Sequence, residues 1–195
     1  MRMNGFLALA AAGLFWLAFA ASAAEAANPL VTIKTSKGDI KIELFADKAP
    51  LTVQNFLAYV DAKFYDGTIF HRVIKGFMIQ GGGLTAGFVE KPQKPPIRNE
   101  AANRLKNLRG TLAMARTPDP HSATSQFFIN HVDNPSLNHR DNTVDGFGYC
   151  VFGKVVAGLD VVDAIAAVPT ATVQGNDDVP RQTLTIVSIR RTEAK

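Results

Sequence analysis

Residues 70–83 read Phe70-His-Arg-Val-Ile-Lys-Gly-Phe-Met-Ile-Gln-Gly-Gly-Gly83. The stretch places one Arg, one Gln and two large apolar side chains in a glycine-rich setting. Its glycines do not follow the G-x-G-x-x-G spacing that cradles phosphates, which argues against a nucleotide loop. Two strands are expected here, Thr68–Val73 and Phe77–Gln80. Side chains alternate along a strand, so Met78 and Gln80 share a face. Met114-Ala-Arg-Thr117 and Ser125-Gln-Phe-Phe-Ile-Asn130 form a second informative region. By the same alternation, Gln126 and Phe128 lie on one side of their strand.

Outward from these runs the chain reads as short strands and loops. Leu30–Lys34 and Asp39–Leu44 alternate apolar with polar residues around a turn at Ser36–Asp39, which predicts a hairpin. Pro50 opens a helix whose Leu51, Val53, Phe56, Leu57 and Val60 follow helical spacing, with proline tolerated in the first turn. Further strands are expected at Thr111–Ala115, Gln126–Asn130, Tyr149–Val155 and Thr183–Ile189, and a short second helix at Leu159–Val168. Lys91–Asn99, carrying Pro92, Pro95 and Pro96, reads as an irregular surface loop. Asn134–Gly148 reads as a second, polar one. Many short strands with two helices predict a mainly β fold, a closed antiparallel barrel capped at its ends. No internal repeat or linker interrupts it.

The 195-residue length suits one domain, and 47% hydrophobic with 19% charged residues is a globular composition. The net charge of +4 comes from scattered Lys and Arg, without the dense basic stripe that nucleic-acid binding requires. Cys150 is the single cysteine, which excludes an internal disulfide and any multi-cysteine metal site. It sits in a strand-like run and reads as a small buried hydrophobe. His71, His121, His131 and His139 show no ligand spacing, so no metal is expected.

Residues 1–26 have the three-part layout of a secretory signal peptide. A short basic start precedes an uncharged run from Phe6 to Ala20, and small residues follow, with Ala21-Ser22-Ala23 and Ala24-Glu25-Ala26 as candidate cleavage sites. The apolar run is shorter than the roughly 20 residues of a spanning helix, so stable membrane insertion is not expected. The mature domain then occupies 27–195, with cleavage falling within 23–27 and the product exported to the periplasm.

The two informative stretches together resemble the cyclophilin family of peptidyl-prolyl cis/trans isomerases. Residues 70–82 match that family's F-H-R-V-I-x-G-F-M-x-Q-G-G core, residues 125–129 its S-Q-F-F-I segment, and Val151-Phe-Gly-Lys-Val155 the strand that follows. The resemblance implies an eight-stranded antiparallel β-barrel capped by two helices, in agreement with the element count. It implies that Arg72 is catalytic and that Gln80 holds its guanidinium. Phe77, Met78, Phe128 and Leu137 would line a proline pocket. Ala115, Arg116 and Thr117 would pair with the substrate backbone, Gln126 would contact it from the side, and Tyr149 stands where many members carry a pocket-edge histidine.

The implied activity is rotation about X–Pro bonds of unfolded or flexible polypeptides, with no cofactor, by a protein expected to be monomeric. Rotation breaks no bond, so neither a nucleophile nor a metal is needed. Non-catalytic proline-peptide binding, as a module or holdase, is the competing reading; the Arg72, Gln80 and Phe128 set favours the enzyme. Three departures stand out. Ser136 replaces a pocket-edge tryptophan, Arg116 replaces a backbone-pairing asparagine, and the Asn138–Gly148 loop is long. They resemble the bacterial exported branch and imply weak binding of cyclosporin.

Overall fold

The computed structural model describes residues 28–192. The signal peptide expected at 1–26 lies outside them. The chain begins with β1 (Leu30–Thr35) and β2 (Gly38–Leu44), the expected hairpin, followed by α1 (Pro50–Asp61). Next come β3 (Thr68–Ile74), β4 (Met78–Thr85), β5 (Thr111–Met114), β6 (Phe127–Asn130) and β7 (Val151–Ala157). α2 (Leu159–Ala166) leads to a small hairpin, β8 (Thr170–Val173) and β9 (Asn176–Pro180), and β10 (Thr185–Thr192) ends the fold. Eight strands close a barrel in the order β1-β10-β3-β4-β6-β5-β7-β2, and every pairing is antiparallel. Closure leaves the barrel without an unpaired edge.

Inward-facing residues of alternate strand positions fill the interior: Val31, Ile33, Ile40, Ile42, Ile79, Leu112, Ile129 and Ile189. α1 sends Phe56 into an aromatic group, with ring centroids 5.2 Å from Tyr65, 5.6 Å from Phe127 and 5.3 Å from Phe152. Large rings meeting edge to face or tilted fill the barrel better than aliphatics of the same number could. α2 adds Val162, Ile165 and Ala166 to the same core.

The first turn of α1 needs acceptors for its free N–H groups, and Pro50 removes one of them. Glu100 supplies the rest from 49 residues away, accepting from the Leu51 and Thr52 amides at 3.2 and 2.8 Å and from Thr52 Oγ1 at 2.7 Å. A carboxylate there also opposes the positive end of the helix dipole.

β4 runs longer than expected, through Gly81, Gly82 and Gly83 to Thr85. Gly82 has φ +87, and a Cβ on it would meet the Phe127 ring at 2.7 Å. A Cβ on Gly83 would lie 2.5 Å from Gln126 Cγ. The glycines let β4 pass under two side chains that matter, one in the core and one at the surface groove. β8 and β9 were not expected, because Thr-Ala-Thr-Val is short and carries little apolar bulk and Asn-Asp-Asp-Val-Pro is mostly polar. Their hairpin packs against β3.

Candidate active site

β4 and β6 pair with Ile79 opposite Ile129 and Gln80 opposite Phe128. The first pair points into the barrel and the second points out. On the outer side Met78, Ala113, Phe128 and Val151 form a separate buried cluster, with Phe77, Ala115, Leu137 and Tyr149 packed at its rim. Met78 and Phe128 with the four rim residues wall a surface pocket of about 240 Å³, closed by Arg72, Gln80 and Arg116. Nine of the residues expected from sequence therefore meet around one cavity, apolar at its floor and cationic at its rim.

Each wall is held in place by its own element. Phe77 ends the turn after β3; its amide donates to the Ile74 carbonyl at 3.0 Å and its carbonyl accepts from the His131 amide at 2.9 Å. Leu137 belongs to a short 3-10 turn, Pro135–Leu137. The Leu137 carbonyl accepts from the Tyr149 amide at 2.9 Å and from Asn107 Nδ2 at 3.0 Å, which fixes the far wall. Asn107 is itself buried, and no spacing in the sequence pointed to it.

The two departures at Arg116 and Tyr149 belong together. The Arg116 guanidinium carbon sits 4.7 Å from the centroid of the Tyr149 ring, and Tyr149 meets Phe128 edge to face at 5.7 Å. Arg116 Nε donates to the Gly148 carbonyl at 3.1 Å and Nη1 to the Thr117 and Pro118 carbonyls. The side chain thus braces the pocket edge, and a guanidinium over an aromatic face adds attraction of its own.

Thr117 and Gln126 do not line this pocket. They open on an adjoining polar groove of about 180 Å³, shared with Glu90, Ser122 and Thr124, which reaches the pocket through Gln80, Ala115 and Arg116. The Ala115 amide donates to the Gln126 carbonyl at 3.0 Å, so what Ala115 can offer a bound chain is its carbonyl. The Thr117 amide is likewise engaged, donating to Ser122 Oγ at 2.9 Å.

The partners of Arg72 differ from those the resemblance implied. Gln80 lies opposite Arg72 in the β3–β4 register, but its Nε2 donates to Gln126 Oε1 at 3.0 Å. Among the described residues no hydrogen bond joins Gln80 to Arg72. The guanidinium instead pairs through Nε with Asp178 Oδ2 at 3.5 Å. Asp178 lies on β9 and was missed from sequence; the acidic, turn-rich run Gly175-Asn-Asp-Asp178 was the available signal. Next to Arg72, burial pushes the His71 imidazole down to about 4, with the Arg72 charge adding to the effect. Among the described residues no histidine lines the pocket, and no group of His, Cys, Asp or Glu could hold a metal ion.

Fold and site together define a class of closed antiparallel β-barrel with an apolar, arginine-edged pocket on its outer face. The family model for cyclophilin-type peptidyl-prolyl cis-trans isomerases matches residues 30–191. Peptidyl-prolyl cis-trans isomerase B of Escherichia coli K12 is 57% identical over 164 residues, covering 84% of this chain and all of that protein. A peptidyl-prolyl cis-trans isomerase of Acinetobacter baylyi is 54% identical, covering 87% of this chain and 88% of its own. Among solved structures, a cyclophilin-type isomerase of Cryptosporidium parvum superposes with a TM-score of 0.71 at 30% identity, over 86% of this chain and 99% of that one. A structure of the same parasite protein was determined in the presence of the dipeptide Ala-Pro, with a TM-score of 0.70. The chain belongs to the cyclophilin-type peptidyl-prolyl cis-trans isomerase family.

Proposed function

We propose that this protein accelerates cis/trans rotation about X–Pro bonds, with Arg72 as the catalytic residue and the Phe77, Met78 and Phe128 pocket as the grip on the proline ring. The observation that carries the reading is the single cavity in which an arginine edges a buried apolar floor. Amide resonance sets a barrier of ~18–20 kcal/mol for the uncatalysed bond. As the amide twists, the prolyl nitrogen becomes pyramidal and its lone pair can accept a hydrogen bond. The Arg72 guanidinium donates that bond, which strengthens only toward the twisted state, so it stabilises the transition state over the ground state. Phe128 and Met78 hold the ring while the polypeptide before it rotates. The adjoining groove with Thr117 and Gln126 receives the chain on that side, and Leu137 and Tyr149 close the other.

A protease-coupled proline-peptide assay tests this directly. Arg72→Ala loses at least ~10²-fold in kcat/KM, the scale of removing one preorganised donor. Turnover near that of the unaltered protein would overturn the mechanism, and peptide binding without turnover would favour the holdase reading. Because Arg does not titrate near neutrality, the rate is flat between about pH 6 and 8.

The sequence of residues 1–26 supports export to the periplasm and clients among exported proteins; intact mass of protein from its host then shows a start between Ala24 and Asn28. A mass that retains Phe6–Ala20 would replace the leader with an anchor. The protein acts as a monomer. Ser136 is exposed on the Pro135–Leu137 turn beside the pocket wall and offers cyclosporin little apolar area. Loss of a hydrogen bond and an aromatic contact together weakens the drug by roughly 3 kcal/mol, about a hundredfold. Ser136→Trp restores inhibition without a matching gain in rate, and nanomolar inhibition of the unaltered protein would remove Ser136 as the determinant.

A further inference from the structure

We propose that Asp178 is a positioning residue for Arg72. Its carboxylate forms an ion pair with the Nε edge of the guanidinium, 3.5 Å away, and so biases the terminal amino groups toward the pocket. The proposal rests on the reading of Arg72 as the donor to the prolyl amide.

Three observations carry it. First, Gln80, the residue opposite Arg72 on β4, donates its Nε2 to Gln126 Oε1 and, among the described residues, makes no hydrogen bond to the guanidinium. Second, the guanidinium has Asp178 as its ion-pair partner, 3.5 Å from Nε. Third, the backbone is shaped to bring it there. The β8–β9 register runs Ala171 opposite Val179 but Val173 opposite Asn176, so β9 carries one extra residue. Within that bulge Asp178 takes φ +60, the left-handed region. A bulge next to a functional site redirects a side chain that regular pairing would point elsewhere. The hairpin that bears it is fixed by Thr172 Oγ1 donating to Asp177 at 2.7 Å and by the buried Val179 and Pro180, and it packs against β3, the strand of Arg72.

The pair is half-exposed, 46% for Arg72 and 37% for Asp178, and pairs so placed contribute little to stability. Its value is directional. A guanidinium is a planar fork, so a carboxylate attracted to one edge biases where the other points. Arg72 otherwise ends in open solvent on a long flexible stem.

The left-handed backbone offers a sharp test, because glycine satisfies it better than aspartate does. Asp178→Gly removes the carboxylate while easing the backbone. A residue kept only for its conformation would lose nothing by this change. We expect kcat to fall about tenfold with KM nearly unchanged, short of the ~10²-fold that a 1 Å misplacement can cost, while Tm holds or rises. Asp178→Asn keeps an oxygen acceptor and tolerates the same φ, and recovers most of the rate. The Arg72 Nε–H resonance, sharp in the unaltered protein, broadens in the glycine variant and not in the asparagine one. Arg72→Ala run alongside separates the two claims. If that variant stays active, the reading of Arg72 fails. If it is inactive while Asp178→Gly keeps full or raised kcat, or loses rate only in step with Tm, the positioning role of Asp178 is overturned and the rest stands.

Discussion

Phe127 and Phe128 are neighbours in the chain, almost equally buried at 0% and 4% exposure, and they belong to different parts of the molecule. Phe127 joins Phe56, Tyr65 and Phe70 in the closed interior, packed by rings on several sides. Phe128 joins Met78, Ala113 and Val151 on the outer face, where Tyr149 covers one flank and the pocket lies open on another. One barrel wall thus serves a core on one side and a binding pocket on the other. Burial alone does not separate structural from functional aromatics; the presence of an unfilled neighbour does.

Truncating each ring should break the comparison in opposite ways. Phe127→Ala removes a ring with no solvent-facing side and leaves a cavity among rigid aromatics. It costs ~3–5 kcal/mol, read as a lowered midpoint in urea unfolding, with activity per folded molecule retained. Phe128→Ala costs less stability, because its site is already open on one side, and lowers kcat/KM at least ~10-fold. If the two variants lose stability equally and Phe128→Ala keeps its activity per folded molecule, the outer cluster is ordinary core.

His71 sharpens the contrast along the pH axis. Its folded value lies at about 4 against an ordinary 6.5, because burial disfavours the charged ring. The unfolded chain therefore binds the proton more readily than the native one. The contribution is fully present above about pH 6.5 and is lost as pH falls toward 4, roughly 3 kcal/mol in all. Asp61, Asp66 and Asp163 are held below the ordinary carboxylate value by Arg191, Arg190 and Arg109, so their losses come at lower pH. His71→Asn should flatten the slope of stability in the upper window; a slope that persists would assign it to another group. Smallest of all is the expected effect at Cys150. Burial pushes its thiol up to about 12, so thiol reagents should leave it untouched in the native protein at neutral pH. Rapid modification without unfolding would show the core around Cys150 to be looser than its packing.

The barrel was legible in the sequence because alternation needs no knowledge of partners. Leu30–Thr35 and Gly38–Leu44 declare their two faces by residue type, and proline at the start of α1 marks its own position. The pocket walls were legible through a motif dense enough to stand without geometry. What could not be read were arrangements that depend on residues far apart. Glu100 serves the start of α1 only because a loop of many residues returns there. Asn107 fixes Leu137 from outside any recognisable pattern. Gln80 was expected to hold Arg72, and no propensity could say that its side chain would turn to Gln126 instead.

The sequence by itself determined which strands of the barrel form, where their alternation sets an apolar face, and which residue types gather at the pocket, since local alternation and side-chain chemistry act within a few residues of one another. Tertiary structure alone decided that Arg116 would lie over Tyr149 and that a polar hairpin would bring Asp178 to Arg72. β8 and β9 bury little of their own and form where β3 gives them a surface to pack on. A side chain's direction there is set by a one-residue bulge in a register that exists only after the chain has folded.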